Sequence, residues 1–226
     1  MDIIRARNLH KVYQIGTTSV HALNGINFTV EEGDFTAIVG TSGSGKSTLL
    51  NMIGALDSPT AGEIFVRGSA LSEMTQNEKT IFRRRNIGFV FQNFNLIPVL
   101  NVYDNIVLPL RLDGRKIDQE FARMLLHSLG LQDKISQTPY TLSGGEQQRV
   151  AVARALITRP AVVLADEPSG SLDSRTGMDV IRLMKTLSQK FYQTLVVVTH
   201  NEEIAQMADR IVRIEDGKIC NEEGER

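Results

Sequence analysis

Residues 40–47 read Gly-Thr-Ser-Gly-Ser-Gly-Lys-Ser, the G-x-x-x-x-G-K-S spacing of a phosphate-binding loop. Glycine at 40, 43 and 45 lets the backbone wrap closely, so that its N–H groups point at the β-phosphate of a nucleotide. The candidate phosphate ligands are Gly40, Thr41, Ser42, Gly43, Ser44, Gly45, Lys46, Ser47 and Thr48. Lys46 would reach the β- and γ-phosphates as a point charge, and the Ser47 hydroxyl would ligate Mg²⁺. A second cluster is Asp166-Glu167, which ends the apolar run AVVLA. At the carboxyl end of a buried strand, Asp166 would hold Mg²⁺ through a water. Glu167, one residue further, would polarise a water for in-line attack on the γ-phosphorus. A third is Leu142-Ser-Gly-Gly-Glu-Gln-Gln-Arg149, where Ser143 stands as a helix N-cap. Its hydroxyl, open N–H groups and helix dipole make a second phosphate-recognition surface. One copy of the chain has no use for two. A second copy supplying it across an interface would.

Elements of two kinds must position these groups. Phe35–Val39 reads as a buried strand feeding the loop, and Lys46-Ser47 opens an apolar helix whose dipole adds to the phosphate site. Ahead of them, strand-like runs separated by Gly16, Gly25 and the turn at 31–34 predict an N-terminal antiparallel β layer. Residues 71–158 are expected to form a mostly helical insertion, with IGFVF as a strand inside it, followed by Gln92. Arg83-Arg84-Arg85 is expected to be a solvated helix end in favourable contact with the dipole, and Pro109 to kink or end a helix. The strands at 161–165 and 194–199, a helix at 174–191 between them, a helix at 201–208 and the strand RIVRIE complete a β–α–β series. The expected fold is α/β, a phosphate-loop core with a parallel sheet, forming a single domain over residues 1–226.

Composition narrows the classes. With 25 basic and 26 acidic residues there is no bulk field to attract nucleic acid, and the absence of Trp disfavours a stacking platform for single strands. A 42% apolar content supports a packed core. The one cysteine, Cys220, cannot form an internal disulfide, which points to a reducing compartment. The N-terminus lacks an apolar leader core and no run approaches 18 apolar residues, so the expectation is a soluble, cytoplasmic protein reaching a membrane through a partner.

The order GTSGSGKS, FVFQ, LSGGEQQR, VVLADEP, SLD and VVVTH resembles the ATPase subunit of an ATP-binding cassette (ABC) transporter over essentially the whole chain. That resemblance implies a nucleotide-dependent, head-to-tail homodimer. Each ATP would lie between one copy's phosphate loop and Ser143, Gly144, Gly145 and Glu146 of the other. It implies further roles: Tyr13 stacks on adenine, Gln92 senses Mg²⁺ and γ-phosphate and links to the transmembrane partner, Asp173 contacts the second copy, and His200 contacts the γ-phosphate. Two departures stand out, LSGGE where many relatives have LSGGQ, and SGSLD where close relatives have TGALD or TGNLD. Neither touches a catalytic position. The segments HALNGINF, NMIGALDSPTAGEI and IGFVFQNFNLIPVLNVYDNI look like the branch of macrolide exporters, lipoprotein-releasing and cell-division ATPases, and bacitracin and lantibiotic resistance systems. This implies a separate permease with few transmembrane helices and a large extracytoplasmic domain, powered for export or mechanotransmission from the inner face of the cell membrane. An amino-acid importer ATPase and a non-transport ABC ATPase remain alternatives.

Overall fold

The structure is a computed structural model of the chain and describes residues 1–224. Two long strands, β1 (Asp2–Ile15) and β2 (Thr18–Glu31), pair antiparallel through the turn at Gly16. They are followed by β3 (Phe35–Val39), the loop, and α1 (Lys46–Ile53). Next come β4 (Ala61–Val66), the short β5 (Ser69–Ala70), α2 (Gln76–Asn86) and β6 (Ile87–Phe91). The helices α3 (Val102–Leu112), α4 (Gln119–Ser128) and α5 (Gly144–Leu156) lead back to β7 (Val162–Asp166). The chain closes with α6 (Ser174–Lys190), β8 (Thr194–Val198), α7 (Glu202–Ala205), β9 (Arg210–Glu215) and β10 (Lys218–Gly224).

Two sheets result. The antiparallel one has the order β2-β1-β4-β5, and the larger has the order β10-β9-β3-β8-β7-β6. In the larger sheet β9, β3, β8, β7 and β6 run parallel, and only the edge strand β10 is antiparallel. Every residue of β3 and of β8 is buried, as a strand covered on both faces requires. One core lies between the sheets around α1, with Ile4, Leu9, Phe28, Ile38 and Leu50. The other lies between the large sheet and α3 to α6, with Val90, Ile106, Leu125, Val152 and Ile181.

The stretch 71–158 is more than a helical insertion. Its strand β6 pairs in parallel with β7, from Ile87 opposite Val162 to Phe91 opposite Asp166, and so belongs to the core sheet. The excursion away from that sheet lies between β6 and α5. The arginine run forms the last turn of α2 as expected, with Arg85 exposed, and its side chains are tethered as well. Arg83 Nη1 donates to Ala55 O (2.7 Å), Arg84 Nη1 donates to Leu112 O (2.8 Å), and Arg85 Nε donates to both Asp113 oxygens. Guanidinium donors thus satisfy carbonyls at the end of α1 and of α3, tying the core to the helices. Pro109 sits inside α3, which runs on to Leu112. The helix expected at 201–208 is a single turn, and β10 was not foreseen in the polar C-terminal text.

Gly88 on β6 lies against α5 so closely that a Cβ there would sit 2.4 Å from Ala155 O, a backbone atom that cannot rotate away. Gly88→Ala should therefore lower stability by about 1–3 kcal/mol. A urea melt unchanged in midpoint would show that α5 and β6 are less tightly seated.

Candidate nucleotide site

The parallel register aligns the chemistry. Phe91, Asp166, Val198 and Ile38 lie opposite one another across β6, β7, β8 and β3. Gln92, Glu167, His200 and Gly40 therefore emerge at one rim, the carboxyl ends of the strands. The phosphate loop occupies the centre of that rim. A Cβ on Gly40 would sit 2.1 Å from Ile214 O, and one on Gly45 would sit 2.4 Å from Ala22 O. Both residues also have positive φ, 153° and 107°, so no other residue type fits either position without displacing backbone. Lys46 is buried and arcs back over the loop, its Nζ donating to Gly40 O (2.9 Å) and Thr41 O (2.7 Å). Ser44 Oγ is buried with no partner among the described residues. A curled backbone with a cation at its mouth fits a phosphate.

Ser47 Oγ donates to Asp166 Oδ1 (2.9 Å), bringing together the hydroxyl and carboxylate expected at a metal. Burial raises the Asp166 pKa, an effect opposed by the Ser47 hydrogen bond and reinforced by the Glu167 charge. A cation beside it would offset that cost. Glu167 has φ 45°, a left-handed conformation costing a non-glycine residue about 1–2 kcal/mol. The turn is held by Glu167 N donating to Val198 O (3.0 Å) and Gly170 N donating to Glu167 O (2.9 Å). The side chain is divided in its uses. Oε1 lies 2.9 Å from His200 Nδ1, while Oε2 is buried without a partner among the described residues. One oxygen is held by the imidazole and the other carries no hydrogen bond among the described residues. Gln92 packs on the same turn, and its Nε2 would lie 2.8 Å from a Cβ on Gly170.

Tyr13 stands on β1 with its hydroxyl donating to Asp57 Oδ2 (2.8 Å). Lys11 Nζ lies 4.8 Å from the ring centroid and pairs with Asp57 Oδ1 (2.7 Å). Burial, followed by the Asp57 hydrogen bond and charge, raises the Tyr13 pKa; the Thr48 hydroxyl of α1 opposes them. Lys11 and Asp57 thus hold an aromatic ring beside the helix of the phosphate loop. Neither was foreseen, although Lys11 lies two residues from Tyr13 and so on the same strand face.

Ser143 is the N-cap of α5 in a capping box. Ser143 N and Oγ both donate to Glu146 Oε2 (2.8 and 2.9 Å), and Glu146 N donates to Ser143 Oγ (3.3 Å). No hydrogen bond or ion pair among the described residues joins Ser143, Gly144, Gly145 or Glu146 to the phosphate loop of the same chain. Asp173 is exposed and caps α6, accepting from Thr176 N (3.0 Å).

A glycine-wrapped loop on a helix N-terminus, faced by Ser47, Asp166 and Glu167 at the rim of a parallel sheet, defines a phosphate-loop nucleoside triphosphatase. The chain belongs to the ABC transporter family, whose sequence model matches residues 23–170. It is an ABC-type ATP-binding and ATP-hydrolysing subunit. It is 45% identical over 219 residues to an uncharacterized ABC transporter ATP-binding protein of Methanocaldococcus jannaschii, covering 96% of this chain and 97% of that one. It is 44% identical over 228 residues to the macrolide export ATP-binding/permease protein MacB of Syntrophobacter fumaroxidans, covering 99% of this chain but 32% of that longer protein. Among solved structures it superposes with TM-score 0.90 and 41% identity on the ATP-binding cassette MJ0796, also from M. jannaschii. The match covers 99% of each chain, and that structure is a dimeric post-hydrolysis state bound to ADP and Pi.

The capping box makes a pH prediction. Hydrogen bonds from Ser143, backbone first, hold the Glu146 carboxyl at about 2, below its ordinary value. Because the folded pKa is depressed, the stabilisation is present above the unfolded value of about 4.3 and is lost as pH falls toward the folded one. Glu146→Gln should therefore flatten the fall in Tm between about pH 4.5 and pH 2. Identical acid limbs for the two proteins would refute this.

Proposed function

We propose that this chain is the ATP-hydrolysing subunit of a membrane transporter whose permease is a separate polypeptide, and that it powers export or mechanotransmission through that permease. The observation that carries the hydrolytic reading is Glu167. Its Oε1 is hydrogen-bonded to His200, its Oε2 has no partner among the described residues, and it directly follows Asp166, which pairs with Ser47. In the reaction, water attacks the γ-phosphorus in line and the bond to the β,γ-bridging oxygen breaks. Glu167 Oε2 takes the water proton, and ADP and phosphate leave. His200 keeps the carboxylate aimed and faces the γ-phosphate. Lys46 moves its donors from the loop carbonyls to the β- and γ-oxygens. Ser47, Asp166 (through a water) and Gln92 would hold Mg²⁺, which neutralises charge on the phosphates. Tyr13 offers its ring to adenine.

The isolation of Ser143, Gly144, Gly145 and Glu146 from their own phosphate loop supports a sandwich in which a second copy supplies them, with Asp173 at the contact. The dimeric MJ0796 structure with ADP and Pi supports the same arrangement. A groove of about 430 Å³ beside Gln92 is the place we assign to the permease. Its lining includes Leu56, Phe89, Phe91 and Leu112 together with Arg83, Arg84 and Arg154. No helix of the described residues is long and apolar enough to cross a membrane, so that contact would hold the subunit peripherally on the inner face. The likeness to a macrolide export ATP-binding/permease protein favours export of a macrolide; an antimicrobial peptide or lipoprotein-type substrate and a permease with a large extracytoplasmic domain rest on the sequence resemblance alone.

Glu167→Gln should lower kcat by about 10²–10⁴ and accumulate an ATP-bound dimer on size exclusion. A variant that stays monomeric at saturating MgATP, while the unaltered chain turns over, would sink the sandwich. Lys46→Ala should weaken ATP binding about 10–100-fold by calorimetry, the loss of charge-assisted hydrogen bonds to phosphate. Undiminished affinity would remove Lys46 from the site.

A further inference from the structure

The helix α5 does more than present Ser143. Two of its side chains hold the backbone on either side of the groups that face this chain's own nucleotide. Gln148 is fully buried, and its Nε2 donates to Pro168 O (2.7 Å), with Phe91 O at 3.5 Å. Pro168 directly follows Glu167, and Phe91 directly precedes Gln92. Six residues further along the helix, Arg154 Nη1 donates to Asn95 O (2.6 Å) and Nη2 donates to Phe94 O (2.7 Å). Phe94 and Asn95 both have positive φ, 57° and 49°, a pair of left-handed residues that a free loop would not keep. Among the described residues no carboxylate pairs with Arg154, and burial lowers its pKa. A half-buried charge is thus spent on two carbonyls. The same loop returns to the start of α5. The Phe94 ring reaches 3.8 Å from a Cβ placed on Gly144, and Leu172, beside Asp173, reaches 3.2 Å.

We infer that Gln148 and Arg154 are positioning residues that make α5 a rigid link between two nucleotides. Through them the loops carrying Gln92 and Glu167, which face this chain's ATP, are fixed to the helix whose N-terminus faces the second copy's ATP. This rests on the sandwich reading above. Neither side chain touches nucleotide. Each acts through a backbone it holds, so its loss should spare binding and impair the communication between sites.

The test uses the purified chain and MgATP. Arg154→Met keeps the apolar stem and removes the donors, and Arg154→Lys restores one charged donor. Expected for Arg154→Met are a kcat at least tenfold lower, a Hill coefficient moved from near 2 toward 1, and an ATP Kd measured on the monomer within twofold of the unaltered chain. Arg154→Lys should recover part of the lost kcat and cooperativity. Unchanged kcat and Hill coefficient would overturn the inference, as would an ATP Kd that weakens in step with kcat. Should Arg154→Met fail to fold by circular dichroism, Gln148→Met read out in the same way decides the matter. If the unaltered chain hydrolyses without cooperativity and Glu167→Gln forms no dimer, the sandwich reading itself has failed. If cooperativity is present and survives in the variants, only the link has failed.

Discussion

The site depends on the register of four parallel strands. With Phe91, Asp166, Val198 and Ile38 in line, the residues that follow each of them share one rim. Slipping β7 by one residue would reverse the faces of Asp166 and Glu167. Yet β3 and β8 are buried on both faces, so alternation of apolar and polar residues cannot specify that register. Close fits specify it instead. Gly88 leaves room for Ala155 O, and Gly54 for the Phe89 ring, which stacks on Phe91 at 5.0 Å.

On this rim the structure concentrates costs. Glu167 is left-handed, Asp166 is a carboxylate half out of water, Ser44 Oγ and Glu167 Oε2 lack partners among the described residues, and a buried lysine bonds only to carbonyls. Each is disfavoured alone, and the surrounding core holds them in place. In the proposed site, nucleotide binding would offset some of these costs, phosphate oxygens satisfying the lysine and a cation the carboxylate.

The helical excursion is fastened to this rim by polar contacts to backbone rather than by apolar packing alone. Gln148 and Arg154 reach carbonyls beside Gln92 and Glu167, while Arg84 on α2 reaches the carbonyl of Leu112 in the excursion and Arg83 ties α2 to Ala55 after α1. Guanidinium and amide donors of this kind have direction and length, so they fix a backbone position more closely than an apolar contact does. The groove assigned to the permease lies among the same residues.

Much of the chemistry was legible in the sequence because it is encoded locally. The phosphate loop is contiguous, Ser143 and Glu146 are three residues apart in a capping box, and Asp166-Glu167 ends its own strand. Such features follow from backbone geometry over a few residues. What only the tertiary structure decided is everything that joins distant segments. The sequence alone could not say that β6 is a core strand, that the arginine run is tethered, that Asp57 latches Tyr13, or that Arg154 holds the loop after Gln92. Hydrogen bonds between residues 44 to 60 positions apart, such as Tyr13 with Asp57 and Arg154 with Phe94, leave no periodic trace in the chain. They exist because the sheet brings those backbones together, and the side chains then satisfy the carbonyls they find there.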